Sequence, residues 1–265
     1  MTYKITENDK AQWEALHGEK ANCGMSDVSN LLAKELEKNV DGCQKSIDQV
    51  RIDIIKFEDW CASEKYPQSI VEELKKSIEQ AKIYIRFTEM LGSFYLIQMD
   101  VNTYTNHILI ADDEWEWRTY ARHFYTILYE HQNSVNRVLN VILNQSLEAF
   151  GKDSVQYKNL KLEKKEFVKI INENSEYAKN IRITTDAHYD GGFIERKEMI
   201  ESMSYSTIVA LINNYLVRSG LLVKSIQPLI EEKGKALNDT LESVIKAMES
   251  YISSLKGSKK NSVVN

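Results

Sequence analysis

Apolar residues recur along the first part of the chain in steps of four and three. Leu32, Leu36, Val40, Cys43, Ile47, Val50, Ile54, Phe57 and Cys61 hold one seam, which predicts a long helix from Ser26 to about Ser63 with a coiled-coil-like face. Pro67 stops the run. It suits a first helical turn, where its missing N–H would have no partner in any case, so a second helix is expected from there. That helix uses Ile70, Leu74, Ile78, Ala81, Ile85, Thr88, Leu91, Tyr95 and Met99 and fades near Thr103. The next stretch, TYTNHILIA, is rich in β-branched residues, but a lone strand would leave its backbone groups unpaired. A loop is expected there.

Asp112, Asp113, Glu114 and Glu116 follow, a set of carboxylates that complements the positive end of a helix dipole and reads as a cap rather than a metal cluster. The third helix they open runs to about Phe150, with Trp117, Phe124, Leu128, Val135, Val138, Ile142 and Leu147 as buried candidates, and Gly151 ends it. A fourth helix, from roughly Ser154 to Ile183, buries Phe167, Ile170 or Ile171, Ala178 and Ile181. A fifth covers about Ile194 to Ser219. After Gly220 and Pro228 a sixth repeats Leu237, Leu241, Val244, Met248, Tyr251 and Leu255. The pattern predicts an all-α, elongated bundle of about six helices, a single domain over residues 1–257, with a flexible tail over 258–265.

Composition agrees with this reading. Ten Gly and two Pro among 265 residues are too few for turn-rich sandwiches, barrels or glycine-loop nucleotide folds, and 43% hydrophobic residues suffice for a sizeable core. The net charge of -5 is unevenly spread: residues 1–150 carry 16 basic and 24 acidic side chains, residues 151–265 carry 18 and 15. Only the second half would welcome a phosphate backbone. There, Lys158, Lys161, Lys164, Lys165 and Lys169 alternate with Glu163 and Glu166. This spacing suits ion pairs on a solvated face, with an RNA-binding stripe as the alternative.

Cys23, Cys43 and Cys61 are odd in number and far apart, which fits neither a zinc site nor a disulfide framework and suits a reducing cytoplasm. The opening MTYKITENDK has no apolar core of a leader, and the apolar run IVALINNYLV is interrupted by Asn213 and Asn214. A soluble cytoplasmic protein, without a membrane segment, metal or cofactor, is expected. A ferritin-like di-metal site needs two Glu-x-x-His pairs, and the chain has one, Glu14 with His17. Zincin, Walker A and nucleophile-elbow motifs are absent. His107, His123 and His131 stand among Tyr and Trp residues and read as satisfied, partly buried side chains.

One constellation carries candidate chemistry. Arg182 and His188 bracket IRITTDAHYD, where Ile183, Thr184 and Thr185 weaken helix propensity and Gly191 and Gly192 demand a turn directly afterwards. An unbroken helix would set Arg182 and His188 about 120° apart, so convergence requires the chain to loosen between them. A permanent guanidinium beside an imidazole that titrates near neutrality suits metal-free RNA cleavage: Arg182 holds phosphate charge, and His188 acts as acid or base. Thr184 and Asp186 are placed to orient them. The alternative is structural, with His188 at a helix C-terminus and Arg182 paired with Glu176 or Asp186. Arg118 and His123 have similar spacing but lie mid-helix, about 140° apart, and read as incidental.

The Arg182 and His188 spacing resembles the Arg-x(4 to 6)-His signature of the HEPN superfamily of all-helical proteins. The resemblance covers at most residues 113–225 and implies a helical bundle with the motif at the end of a late helix. It also implies a metal-independent ribonuclease of toxin, abortive-infection or phage-defence systems, or a non-catalytic descendant. Active members commonly carry Asn, Asp or His directly after the Arg, where this chain has Ile183, and the His-x-Tyr form of modified members is not reproduced at Tyr189. RNA, a second copy of the chain and an antitoxin are the partners it implies. Coiled-coil-like seams at both ends also favour a homodimer. The rival reading is a helical protein-interaction or scaffold module.

Overall fold

The computed structural model describes residues 21–63, 65–111, 113–187 and 192–261. They form an all-α bundle, with no strand among the described residues. In chain order the elements are α1 (Ala21–Ala62), α2 (Gln68–Ile110), α3 (Glu114–Phe150), α4 (Val155–Ile181), a π-helical segment (Arg182–Ala187), α5 (Phe193–Glu201) and α6 (Tyr205–Asn261). The expected boundaries at Pro67, Asp113, Gly151 and Ser154 are present. Backbone N–H groups of Ile70 and Val71 bond to the Pro67 carbonyl as α2 starts. Asp113 caps α3 by accepting from the Glu116 N–H at 2.9 Å, and Ser154 caps α4 through the Tyr157 N–H. Gly151 takes a φ of 81° as its N–H closes on the Leu147 carbonyl, a conformation that glycine adopts without strain.

Two expectations about breaks are corrected. The segment expected as a loop from Thr103 is helical, because α2 continues to Ile110. Val101 and Ile108 are fully buried, and the Thr103 and Thr105 hydroxyls bond back to the Met99 and Val101 carbonyls. Packing thus outweighs the small helix penalty of β-branched residues. The expected fifth and sixth helices are divided differently: the break falls at 202–204, and α6 passes through Gly220 and Pro228 uninterrupted. Pro228 forgoes one helical hydrogen bond, but Leu222, Ile226, Leu229 and Leu237 are buried on either side of it and keep the helix in place. Leu147 and Leu255, expected inside, are exposed.

The chain divides into two compact units, Met1–Val40 with Ser93–Ile226, and Asp41–Gly92 with Gln227–Asn265. In the second unit, Phe57, Ile70, Leu74, Ile78 and Val244 form a core flanked by Ile54, Trp60, Leu241 and Met248. The Tyr251 hydroxyl donates to the Lys65 carbonyl, and Ser46 pairs with the Tyr84 hydroxyl. Cys43 and Cys61 are half-buried on the predicted α1 seam, and burial pushes both thiols up, so they behave as core side chains.

The first unit holds the larger core. Trp117, Phe124, Leu128 and Leu139 of α3, Leu160, Phe167 and Ile181 of α4, and Ile208, Ile212 and Tyr215 of α6 are buried, and the Tyr215 ring meets those of Phe124 and Phe167. Buried polar side chains pair within this unit: Ser29 donates to Asn102 at 2.7 Å, and Gln98 donates to Ser219 at 2.8 Å.

Candidate functional site

The helix that carries Arg182 changes geometry at that residue. Ile181 is fully buried and anchors the end of α4, and the Arg182 N–H is shared between the Ala178 and Lys179 carbonyls. From Arg182 to Ala187 the backbone is π-helical, wider by one residue per hydrogen-bonded ring than an α-helix. This is the stretch where Ile183, Thr184 and Thr185 lower helix propensity.

The Arg182 side chain reaches α3. Its Nε pairs with Glu130 Oε1 at 2.8 Å, and the guanidinium carbon lies 5.0 Å from the centre of the Tyr129 ring. Glu176, one of the two partners expected from sequence, does not take this role. The side chain is 34% exposed and its pair with Glu130 is made through Nε; the terminal nitrogens of a guanidinium are the donors suited to a bidentate phosphate contact. Thr184 is half-buried within the π segment. The backbone of Asp186 belongs to that segment, whereas its side chain and all of His188 lie outside the described residues.

Three further histidines, His107, His123 and His131, are held by aromatic rings. His107 stacks on Tyr120 at 4.4 Å and His123 on Tyr104 at 5.6 Å. His131 is buried, with its Nδ1 2.9 Å from the Tyr215 hydroxyl, and desolvation lowers its pKa to about 4. It is therefore neutral at pH 7 and structural. Arg118 is buried, pairing with Glu114 at 3.3 Å and donating to the Glu201 carbonyl at 3.2 Å. That arrangement ties α5 to α3. No group of three His, Cys, Asp or Glu side chains able to hold a metal is present among the described residues.

A second feature lies on the same pair of helices. α3 and α4 flank an open groove of about 510 Å³ lined by Lys161, Lys164, Lys165 and Lys169 and one carboxylate, Glu173, with Asn136, Leu143, Val168 and Asn172. Lys164 donates to Asn140 of α3, and burial lowers its pKa. The carboxylates expected to neutralise the lysines are partly engaged elsewhere: Glu163 pairs with Arg218 of α6 at 3.5 Å, and Lys158 pairs with Asp153. Lys169 keeps a long 3.7 Å pair with Glu173. Lys161 and Lys165 have no carboxylate partner among the described residues. The lysine spacing was legible in the sequence. The groove was not, because Asn136, Asn140 and Leu143 come from the other helix.

By length and composition, α6 is also apolar enough over Tyr205–Leu255 to cross a membrane, although Ile208, Val209, Ile212, Leu222 and Val223 are buried in the protein core. No family model, curated protein or solved structure matches this chain.

Proposed function

We propose that the protein is a HEPN-like, metal-independent RNA endonuclease of toxin or phage-defence type, cytoplasmic and homodimeric, with its reactive groups at Arg182 and His188. The observation that carries this reading is the π-helical segment beginning at Arg182. Unbroken α-helix would hold the two side chains apart, and the backbone departs from α-helix over the residues between them. Such departures from regular helix occur frequently at functional sites.

In this reading the terminal nitrogens of Arg182 hold the scissile phosphate and stabilise the charge that develops on its non-bridging oxygens. No metal is required to activate water if the nucleophile is the RNA's own 2′-hydroxyl. Its proton passes to a base, its oxygen attacks phosphorus, and the 5′-oxygen leaves with a proton from an acid. An imidazole can carry out either proton transfer, and this is the role given to His188.

A second reading is favoured by a specific contact. The Glu130 pair and the Tyr129 ring give Arg182 a structural role in joining α4 to α3, which suits a non-catalytic interaction module. Substrate chemistry separates the two. A labelled single-stranded RNA and its 2′-deoxy counterpart, each incubated with the protein in excess EDTA, should give cleavage of the RNA alone. Cleavage of neither favours the interaction module, and cleavage of both excludes the 2′-hydroxyl mechanism.

A further inference from the structure

We infer that the lysine-lined groove between α3 and α4 is a track for the sugar-phosphate backbone of single-stranded RNA, leading along α4 toward Arg182. The choice of RNA over DNA rests on the proposed function; the anion track itself rests on the groove.

Lys161, Lys164, Lys165 and Lys169 lie at steps of three, one and four, which places them on one side of α4 over a rise of about 12 Å. Four like charges so close repel one another, and the carboxylates nearest in sequence do not cancel them. Glu163 is turned toward Arg218, and Glu173, the one carboxylate in the lining, pairs with Lys169 at 3.7 Å and leaves the four lysines in excess. Lys164 is partly desolvated and its ammonium group donates to a neutral amide, Asn140, rather than to a carboxylate. An anion in the groove relieves both the repulsion and the desolvation.

The remaining lining points to a nucleic acid chain. Asn136 and Asn172 offer both donors and acceptors to ribose hydroxyls and base edges, and Leu143 and Val168 supply apolar surface beneath sugars. The site is a concave groove with recessed apolar groups, whereas an anionic bilayer would require an outward-facing apolar stripe. The register along α4 sets the direction. Lys161 and Lys179, and likewise Lys164 and Arg182, are 18 residues apart, which is five full turns. The basic side chains of the groove and of the helix end therefore lie along the same side of α4, about 27 Å apart along its axis.

The test is fluorescence anisotropy of a labelled 12-nucleotide single-stranded RNA in EDTA, in a His188→Ala background that prevents turnover. The triple variant Lys161→Gln, Lys165→Gln, Lys169→Gln is compared with Lys75→Gln, Lys82→Gln, Lys246→Gln, which removes the same charge elsewhere. The groove variant should bind at least about tenfold more weakly, and its plot of log affinity against log salt should flatten by about 2. The control variant should stay within about twofold. Equal loss in both variants, or no loss in the groove variant, overturns the track. Stronger binding to anionic vesicles than to RNA, lost in the groove variant, overturns it in favour of a membrane surface. Because binding is read without cleavage, an intact track in a protein that cuts nothing leaves this inference standing while the endonuclease reading falls.

Discussion

Arg182 is the residue on which two roles converge. Its ion pair joins a half-exposed guanidinium to a more exposed carboxylate, and pairs of that kind contribute roughly 0.2–1 kcal/mol. Arg182→Ala should therefore lower stability by no more than about 1 kcal/mol while abolishing RNA cleavage. Thermal unfolding beside a cleavage assay checks both. A large stability loss would assign Arg182 to the scaffold instead.

His131 belongs to the scaffold in any case. It is buried beside Tyr215, and its folded pKa of about 4 lies below the ordinary imidazole value near 6.5. Between those values the unfolded chain binds the extra proton, so this contribution to stability is complete above pH 6.5 and is lost as pH falls toward 4. The loss is of the order of 3 kcal/mol. The double variant His131→Leu, Tyr215→Phe, which removes both partners together, should flatten the fall in melting temperature between pH 7 and pH 4.5. An unchanged pH profile would mean that other groups cause it.

At the scale of the element, most helices were legible because the apolar seam of α1, the Pro67 start of α2 and the Asp113 and Ser154 caps are local signals. The misread boundaries are places where tertiary packing overrode local preference. Thr103 and Thr105 look like strand residues, but their hydroxyls find carbonyls within α2, and Val101 and Ile108 face the core. Pro228 looks like a stop, but buried residues on both sides of it extend α6 through it. Pro228→Ala restores an N–H for the Lys224 carbonyl and should raise stability, by up to about 3 kcal/mol if the helix straightens without strain. Thermal or urea unfolding measures it, and destabilisation would show that the packing around the buried Leu229 depends on the proline ring. The π segment after α4 was legible only as weak helix propensity, since no side-chain pattern distinguishes a π turn from a fraying end.

For the whole molecule, the scarcity of glycine and proline and the helical periodicity carried the fold class, and the bundle follows from them. The site was legible only in part. The spacing of Arg182 and the lysine series can be read along the chain, but Glu130, Tyr129 and Asn140 reach them from α3 through tertiary packing that no local pattern encodes. The charge asymmetry gains meaning at this scale: the basic excess lies in residues 151–265, which include α4, its lysine groove and Arg182. The helix with the candidate chemistry is thus also the helix suited to hold a polyanion. The most direct measurement is cleavage of a labelled single-stranded RNA in excess EDTA by wild type and His188→Ala, purified identically and matched for concentration and melting temperature. Cleavage by wild type, lost at least a hundredfold in the variant, is the expected result. Equal cleavage by both, or cleavage by neither, would contradict a reactive site at Arg182 and His188.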